Sequence, residues 1–158
     1  MKKLLAVMAL LISSAAWAGD IADANTAYEK KDYAKAIQKY KAAGIKGNAY
    51  AQTMVGSMYD LGKGVVQNDT EAVKWYKLAA AQGQAYAQSD LGVKYVKGQG
   101  IVQDYLRAHM WMNLAAVGGD ARAVNNRGII EKIMTHQQIV EAQKLARECR
   151  ARNFKNCD

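Results

Sequence analysis

Apolar residues recur at helical spacing along this chain, and the whole pattern returns after 36 positions. Ala51, Val55, Met58 and Tyr59 fall on one stripe, with the three-and-four spacing of an amphipathic helix. The shift carries that stripe onto Ala87, Leu91 and Tyr95, and carries Gly56, Gly62 and Gly64 onto Gly92, Gly98 and Gly100. It also carries Ala72, Trp75, Ala79–Ala80 and Gly83 onto Ala108, Trp111, Ala115–Ala116 and Gly119. A unit 48–83 therefore returns as 84–119. A period of this length marks stacked supersecondary units, none of which buries its apolar face alone.

Each unit reads as two helices. The first, helix A, carries Gly56 or Gly92 in its interior, where glycine costs about 1 kcal/mol against alanine. Its return at the equivalent position predicts close approach by the partner helix. Leu61–Val65 and Lys97–Ile101 then break the helix with glycines able to take positive φ. Asn68 and Asp104 are N-cap residues for helix B. Glu71 adds a box-like spacing after Asn68 that Arg107 does not provide after Asp104. Helix B turns Ala72, Trp75 and Ala79 inward, as it does Ala108, Trp111 and Ala115, and stops at Gly83 and Gly119.

The flanks read as atypical end units. In 20–47, Ala36, Tyr40, Lys41 and Gly47 map by the same shift onto Ala72, Tyr76, Lys77 and Gly83, and Asp32 maps onto Asn68. Lys30–Asp32 replaces the glycine-rich turn, which predicts an N-terminal capping hairpin. In 120–158, Ala123 and Gly128 continue the register, so a third helix A is expected to about Met134. Thr135 and Gln138 form a capping-box pair, and Ile139, Ala142, Leu145, Ala146 and Cys149 make one stripe of a last helix. The prediction is an all-α solenoid of about four α/α hairpins, a single domain over 19–158.

The pattern Ala-x-x-x-Val/Leu-Gly-x-x-Tyr-x-x-Gly-x-Gly-Val/Ile, followed by Ala-x-x-Trp and paired alanines at 79–80 and 115–116, resembles the Sel1-like repeat. That family is a subclass of the tetratricopeptide-like α/α solenoids. The resemblance covers 48–119. It implies a superhelical scaffold for protein–protein contacts and no single activity. Met134-Thr135, with Gln138-Ile139, is similar to endings that close Sel1-like proteins. Secreted relatives with a cysteine pair in every hairpin differ from this chain, so the traits of that branch are not carried over.

Composition adds a compartment. Lys2–Lys3, the apolar run Leu4–Ile12 and Ala16-Trp17-Ala18 read as a secretory signal over 1–18, cleaved before Gly19. The run is too short to span a bilayer comfortably, so a periplasmic or secreted protein without stable membrane insertion is expected. Loss of both leader lysines lowers the net charge from +8 to about +6. An exported protein meets little nucleic acid, so the basic balance favours an anionic lipid, a cell-wall polymer or an acidic protein, or serves solubility alone. Proline is absent, which suits uninterrupted helices. Eight residues of continuous helix would rise about 12 Å between Cys149 and Cys157, too far for a disulfide. A bridge therefore requires the helix to stop near Arg152 and Asn153 to turn the tail back, and an exported chain with two cysteines favours it.

Candidate chemistry is sparse. His109 and His136 lie on different repeats, with no His-x-x-x-His or Cys-x-x-Cys spacing for a metal. His109 takes the place of Val73, which reads as a packed or partly exposed histidine rather than a ligand, and His136 reads as solvent-facing. No Gly-x-Ser-x-Gly or Ser-x-x-Lys nucleophile motif appears. The reading is therefore no catalytic residues, no cofactor and no metal. What remains is a surface. The helix A positions outside the framework, expected to line a concave face, are Tyr50, Gln52, Thr53, Ser57 and Asp60, then Tyr86, Gln88, Ser89 and Lys94, with Val93 and Val96. Tyrosines among small polar residues suit recognition. Tyr50 and Tyr86 are also 36 apart, which equally suits packing between repeats. Met110 and Met112 read as core filling. The function expected is a non-enzymatic periplasmic scaffold for a protein partner. Resemblance and compartment narrow it to an immunity protein that neutralises a toxic effector such as a phospholipase. A cell-envelope or peptidoglycan adaptor and a β-lactam-binding or weakly hydrolysing enzyme are the alternatives.

Overall fold

The computed structural model describes residues 18–157. The expected signal segment lies, apart from its last residue, outside them. Eight α-helices and no strands run through the described residues. They are α1 (18–29), α2 (Tyr33–Ile45), α3 (Ala49–Leu61), α4 (Asp69–Ala80), α5 (Ala85–Lys97), α6 (Tyr105–Val117), α7 (Ala121–Glu131) and α8 (His136–Ala151). Consecutive helices from α2 to α7 pack against one another, which gives a solenoid of helical hairpins.

Short polar side chains start these helices, at Asp32, Asn68, Asp104 and Thr135 as the spacing predicts and at Asn48 in addition. Asp32, Asn48, Asn68 and Asp104 each accept a hydrogen bond from the backbone N–H three residues on. Thr135 and Gln138 complete a reciprocal capping box. The Asn68–Glu71 pair does not, because the Asn68 N–H already donates to the Tyr59 carbonyl, leaving the Glu71 carboxylate to meet Lys74. Gly62 and Gly98 end α3 and α5 with φ of 64° and 65°.

The interior glycines of the A helices are close approaches. A methyl group at Gly56 would stand 2.7 Å from the Tyr76 ring, and one at Gly92 would stand 2.8 Å from Met112 Cγ. The core is correspondingly built of small residues: Ala36, Ala51, Ala72, Ala79, Ala87, Ala108 and Ala115 are fully buried. Met110 and Met112 are also core. Trp111 is buried, whereas its counterpart Trp75 is only partly so. Phe154 and Cys157 pack onto the cluster that holds Trp111, whereas Trp75 packs partly buried onto the cluster built from α1, α2 and α3.

The C-terminal end departs from the repeat. Helix α7 ends at Glu131, short of Met134, and nothing stands within 4 Å of a methyl group placed on Gly128. Helix α8 buries Ala142, Ala146 and Cys149 and packs chiefly against α6, not α7. It stops at Ala151, the backbone turns through positive φ at Asn153, Phe154 and Asn156, and Cys149 and Cys157 are joined by a disulfide with Cα atoms 5.3 Å apart.

Candidate partner-binding face

Equivalent positions on the three A helices carry Tyr50, Tyr86 and Arg122, 36 residues apart. Each is held from behind. The Tyr50 hydroxyl donates to Asn25 Oδ1 at 3.2 Å, and its ring meets Tyr40 edge-on at 6.2 Å. Tyr40 donates to the same Asn25 oxygen at 2.6 Å. The Arg122 guanidinium lies 5.2 Å above the Tyr86 ring, a cation–π contact. Tyr50 is 42% exposed and Tyr86 57%. Both rings are thus oriented by neighbours and open to solvent.

Below this row lies a charged layer. Arg122 donates to Asp120 at 2.8 Å and reaches Asp90 at 3.3 Å. Burial pushes the Asp90 carboxyl up to about 6, against the attraction of Arg122. Burial also works on Asp120, but hydrogen bonds from the Arg122 side chain and backbone N–H hold it below the usual carboxylate range. Burial raises the Tyr76 hydroxyl far above the ordinary tyrosine value, with nearby Ser57 acting the other way. Ser57 and Asp60 are half-buried.

Gln52, Thr53, Gln88, Ser89 and Lys94, expected on the partner-facing surface, are buried. Gln52 Nε2 donates to the Gly44 carbonyl at 2.9 Å, and Gln88 Nε2 donates to the Ala80 carbonyl at 3.2 Å. These two glutamines close the open carbonyl ends of the preceding B helices, as helix termini require. Thr53 donates back to the Ala49 carbonyl within its own turn. Lys94 bridges Asp60 and Asp69 at 2.5 and 2.7 Å. Burial works against its charge, yet these hydrogen bonds hold the ammonium above the usual lysine value.

The structure thus leaves Tyr50, Ser57, Asp60 and Tyr86 of the expected set at the surface and adds Asp90 and Arg122. Arg122 was recoverable from the 36-residue shift, which places it on Tyr86. Asp90 replaces Met54 with no sequence sign of its buried setting. His109 is fully buried, and its Nε2 lies 2.8 Å from Glu131. Burial lowers its pKa and favours the neutral ring. His136 is exposed. Among the described residues no three His, Cys, Asp or Glu side chains gather closely enough to hold a metal ion.

A family model described as Sel1 repeat matches residues 49–84 and 85–120. Among solved structures, a protective antigen of uropathogenic Escherichia coli strains displaying an SLR fold superposes with a TM-score of 0.82 at 27% identity, over 89% of this chain and 31% of that one. A Sel1 repeat protein from Oxalobacter formigenes superposes with a TM-score of 0.66 at 34% identity, over 70% and 45%. This chain therefore spans less than half of either protein. No curated protein matches it.

Proposed function

Because this chain is a Sel1-repeat protein in sequence and fold, we propose that it is a non-catalytic scaffold that holds one protein partner against the face of α3, α5 and α7. The observation that carries this is the row Tyr50, Tyr86 and Arg122. Tyrosine and arginine dominate binding energy where they are oriented before the partner arrives. Here Asn25 and Tyr40 orient Tyr50, while Arg122 and Tyr86 orient each other.

The Cys149–Cys157 disulfide supports a location outside the reducing cytoplasm, and with the leader-like residues 1–18 the compartment is periplasmic or secreted. No helix of the described residues is long and apolar enough to cross a membrane. In its narrower form the scaffold is an immunity protein. Its partner is then a toxic effector, such as a phospholipase, whose catalytic cleft it covers. The basic net charge supports attraction to an acidic partner, which speeds association and makes it salt-sensitive.

The test is capture of partners from periplasmic extract, and from candidate effectors, by tagged residues 19–158 at low and high salt. One dominant protein released by salt is expected, with Tyr86→Ala and Arg122→Ala each weakening it by about 10-fold or more. Unchanged capture by both variants would remove this face from the proposal. Turnover of nitrocefin by purified protein, lost on changing one polar residue, would replace the scaffold with an enzyme.

A further inference from the structure

The two repeats differ in polarity where α5, α6 and α7 meet. Val93, Val96, Lys97, Met112, Asn126, Ile129 and Ile130 line an open groove of about 160 Å³ there. Apolar cavities of about 150 Å³ accept a benzene-sized group in other proteins. One repeat earlier the same positions hold Ser57, Asp60, Leu61, Tyr76, Asp90, Val93 and Lys94. There Lys94 donates to Asp60 and Asp69, and Ser57 lies near enough to the Tyr76 hydroxyl to offset part of the effect of its burial. In the second repeat Val93 and Val96 take the serine and aspartate positions, and Met112 has no hydroxyl to offer. The polar contacts of the first repeat are replaced by an apolar floor.

Two polar groups remain in this groove. Among the described residues neither the Asn126 amide nor the Lys97 ammonium has a hydrogen-bond or ion partner. Ile129 and Ile133 extend the apolar surface outward and are 62% and 63% exposed. We propose that this groove receives a segment of a partner protein bearing adjacent aliphatic side chains followed by a carboxylate. The aliphatic groups enter between Val93, Val96 and Ile129, and the carboxylate meets Lys97. Asn126 pairs with the segment's backbone. Charge complementarity selects an acidic over a basic flank. The proposal rests on the scaffold reading and names the chemistry of its partner.

The test uses methyl NMR of residues 19–158 titrated with the blocked peptide acetyl-Leu-Leu-Glu-Glu-amide, and with acetyl-Leu-Leu-Lys-Lys-amide as its opposite. Saturable shifts confined to the methyls of Val93, Val96, Ile129 and Ile130 are expected with the acidic peptide. Lys97→Glu, at an exposed position, is expected to weaken it about threefold. Val96→Asp, which restores the first-repeat residue, is expected to weaken it about tenfold or more, with circular dichroism checking the fold. The proposal is overturned by no saturable shift, by an equal response to the basic peptide, or by the same methyls shifting with protein concentration alone. That last outcome would assign the groove to a second copy of the chain. A full-length partner that ignores Val96→Asp but is lost with Tyr86→Ala removes the groove and leaves the scaffold. The reverse pattern removes the tyrosine face and keeps the groove.

Discussion

Lys94 Nζ lies 2.5 Å from Asp60 Oδ1 although the lysine side chain is only 3% exposed. The same repeat position is Met58 in the preceding unit and Ile130 in the next, both buried hydrophobics. A charge therefore stands where the repeat wants an aliphatic group, and with Asp69 it joins α3, α4 and α5.

Replacing that lysine by the residue of the neighbouring repeat is expected to be mild. Buried ion pairs often gain nothing over well-packed hydrophobic residues, whereas leaving one buried partner uncompensated costs about 3–5 kcal/mol. Lys94→Met should shift urea stability by no more than about 1 kcal/mol or raise it, since Asp60 and Asp69 keep access to water. The double substitution Asp60→Ala, Asp69→Ala strands the ammonium and should cost several-fold more. Equal losses in both proteins would show that the pair is a net contributor.

Asp90 gives a signed pH effect. Its folded carboxyl titrates near 6 against an ordinary value of 3.8, so the native state binds the proton more tightly than the unfolded chain. This group's contribution is therefore greatest in acid and falls as pH rises from about 4 to about 6. The upper limit is about 3 kcal/mol, and Asp90→Asn should remove the slope. Guanidinium unfolding of both proteins across that range measures the difference. A parallel pair of curves would place the burial cost elsewhere.

The two interior glycines should not respond alike. A methyl at Gly56 meets the Tyr76 ring, which is fully buried, whereas one at Gly92 first meets the flexible Met112 side chain. Gly56→Ala is expected to cost about 1–3 kcal/mol through overpacking. Gly92→Ala should cost less, because the helix-propensity gain of about 1 kcal/mol offsets more of a smaller strain. Thermal melts of the two variants give the order directly.

Reduction of the Cys149–Cys157 bridge should lower stability by about 2.5 kcal/mol on loop-closure grounds for a separation of eight residues. It also frees Phe154, whose ring would stand 2.8 Å from any methyl group placed on Gly83 and which lines a groove with Trp111. A change in Trp111 emission on reduction, absent from a Trp111→Phe control, is the expected signature. Unchanged emission with unchanged stability would mean that the tail stays seated without its bond.

The 36-residue period made most of this fold legible. It placed the glycines, the caps of α4 and α6, and the small residues at the helix seams, because each is dictated by local geometry that repeats. The surface was harder to read for the same reason. Gln52 and Gln88 repeat because they close carbonyls of the preceding helix, and polarity alone made them look like contact residues. Lys94 carried a usable sign, since it departs from Met58 at a position whose apolar character the next unit restores. The route of α8 carried none. An amphipathic stripe says which side of a helix is covered but not by what, and here α6 supplies the cover.

That route has an evolutionary corollary. A hairpin array grows by copying a unit and laying the copy on the last exposed helix. Helix α8 already occupies the flank of α6, and the chain after it turns back to set Phe154 against Gly83, just past the end of α4. A unit inserted directly after α6 would have to displace α8 from it, whereas one inserted further upstream would leave both that contact and the Cys149–Cys157 bridge in place.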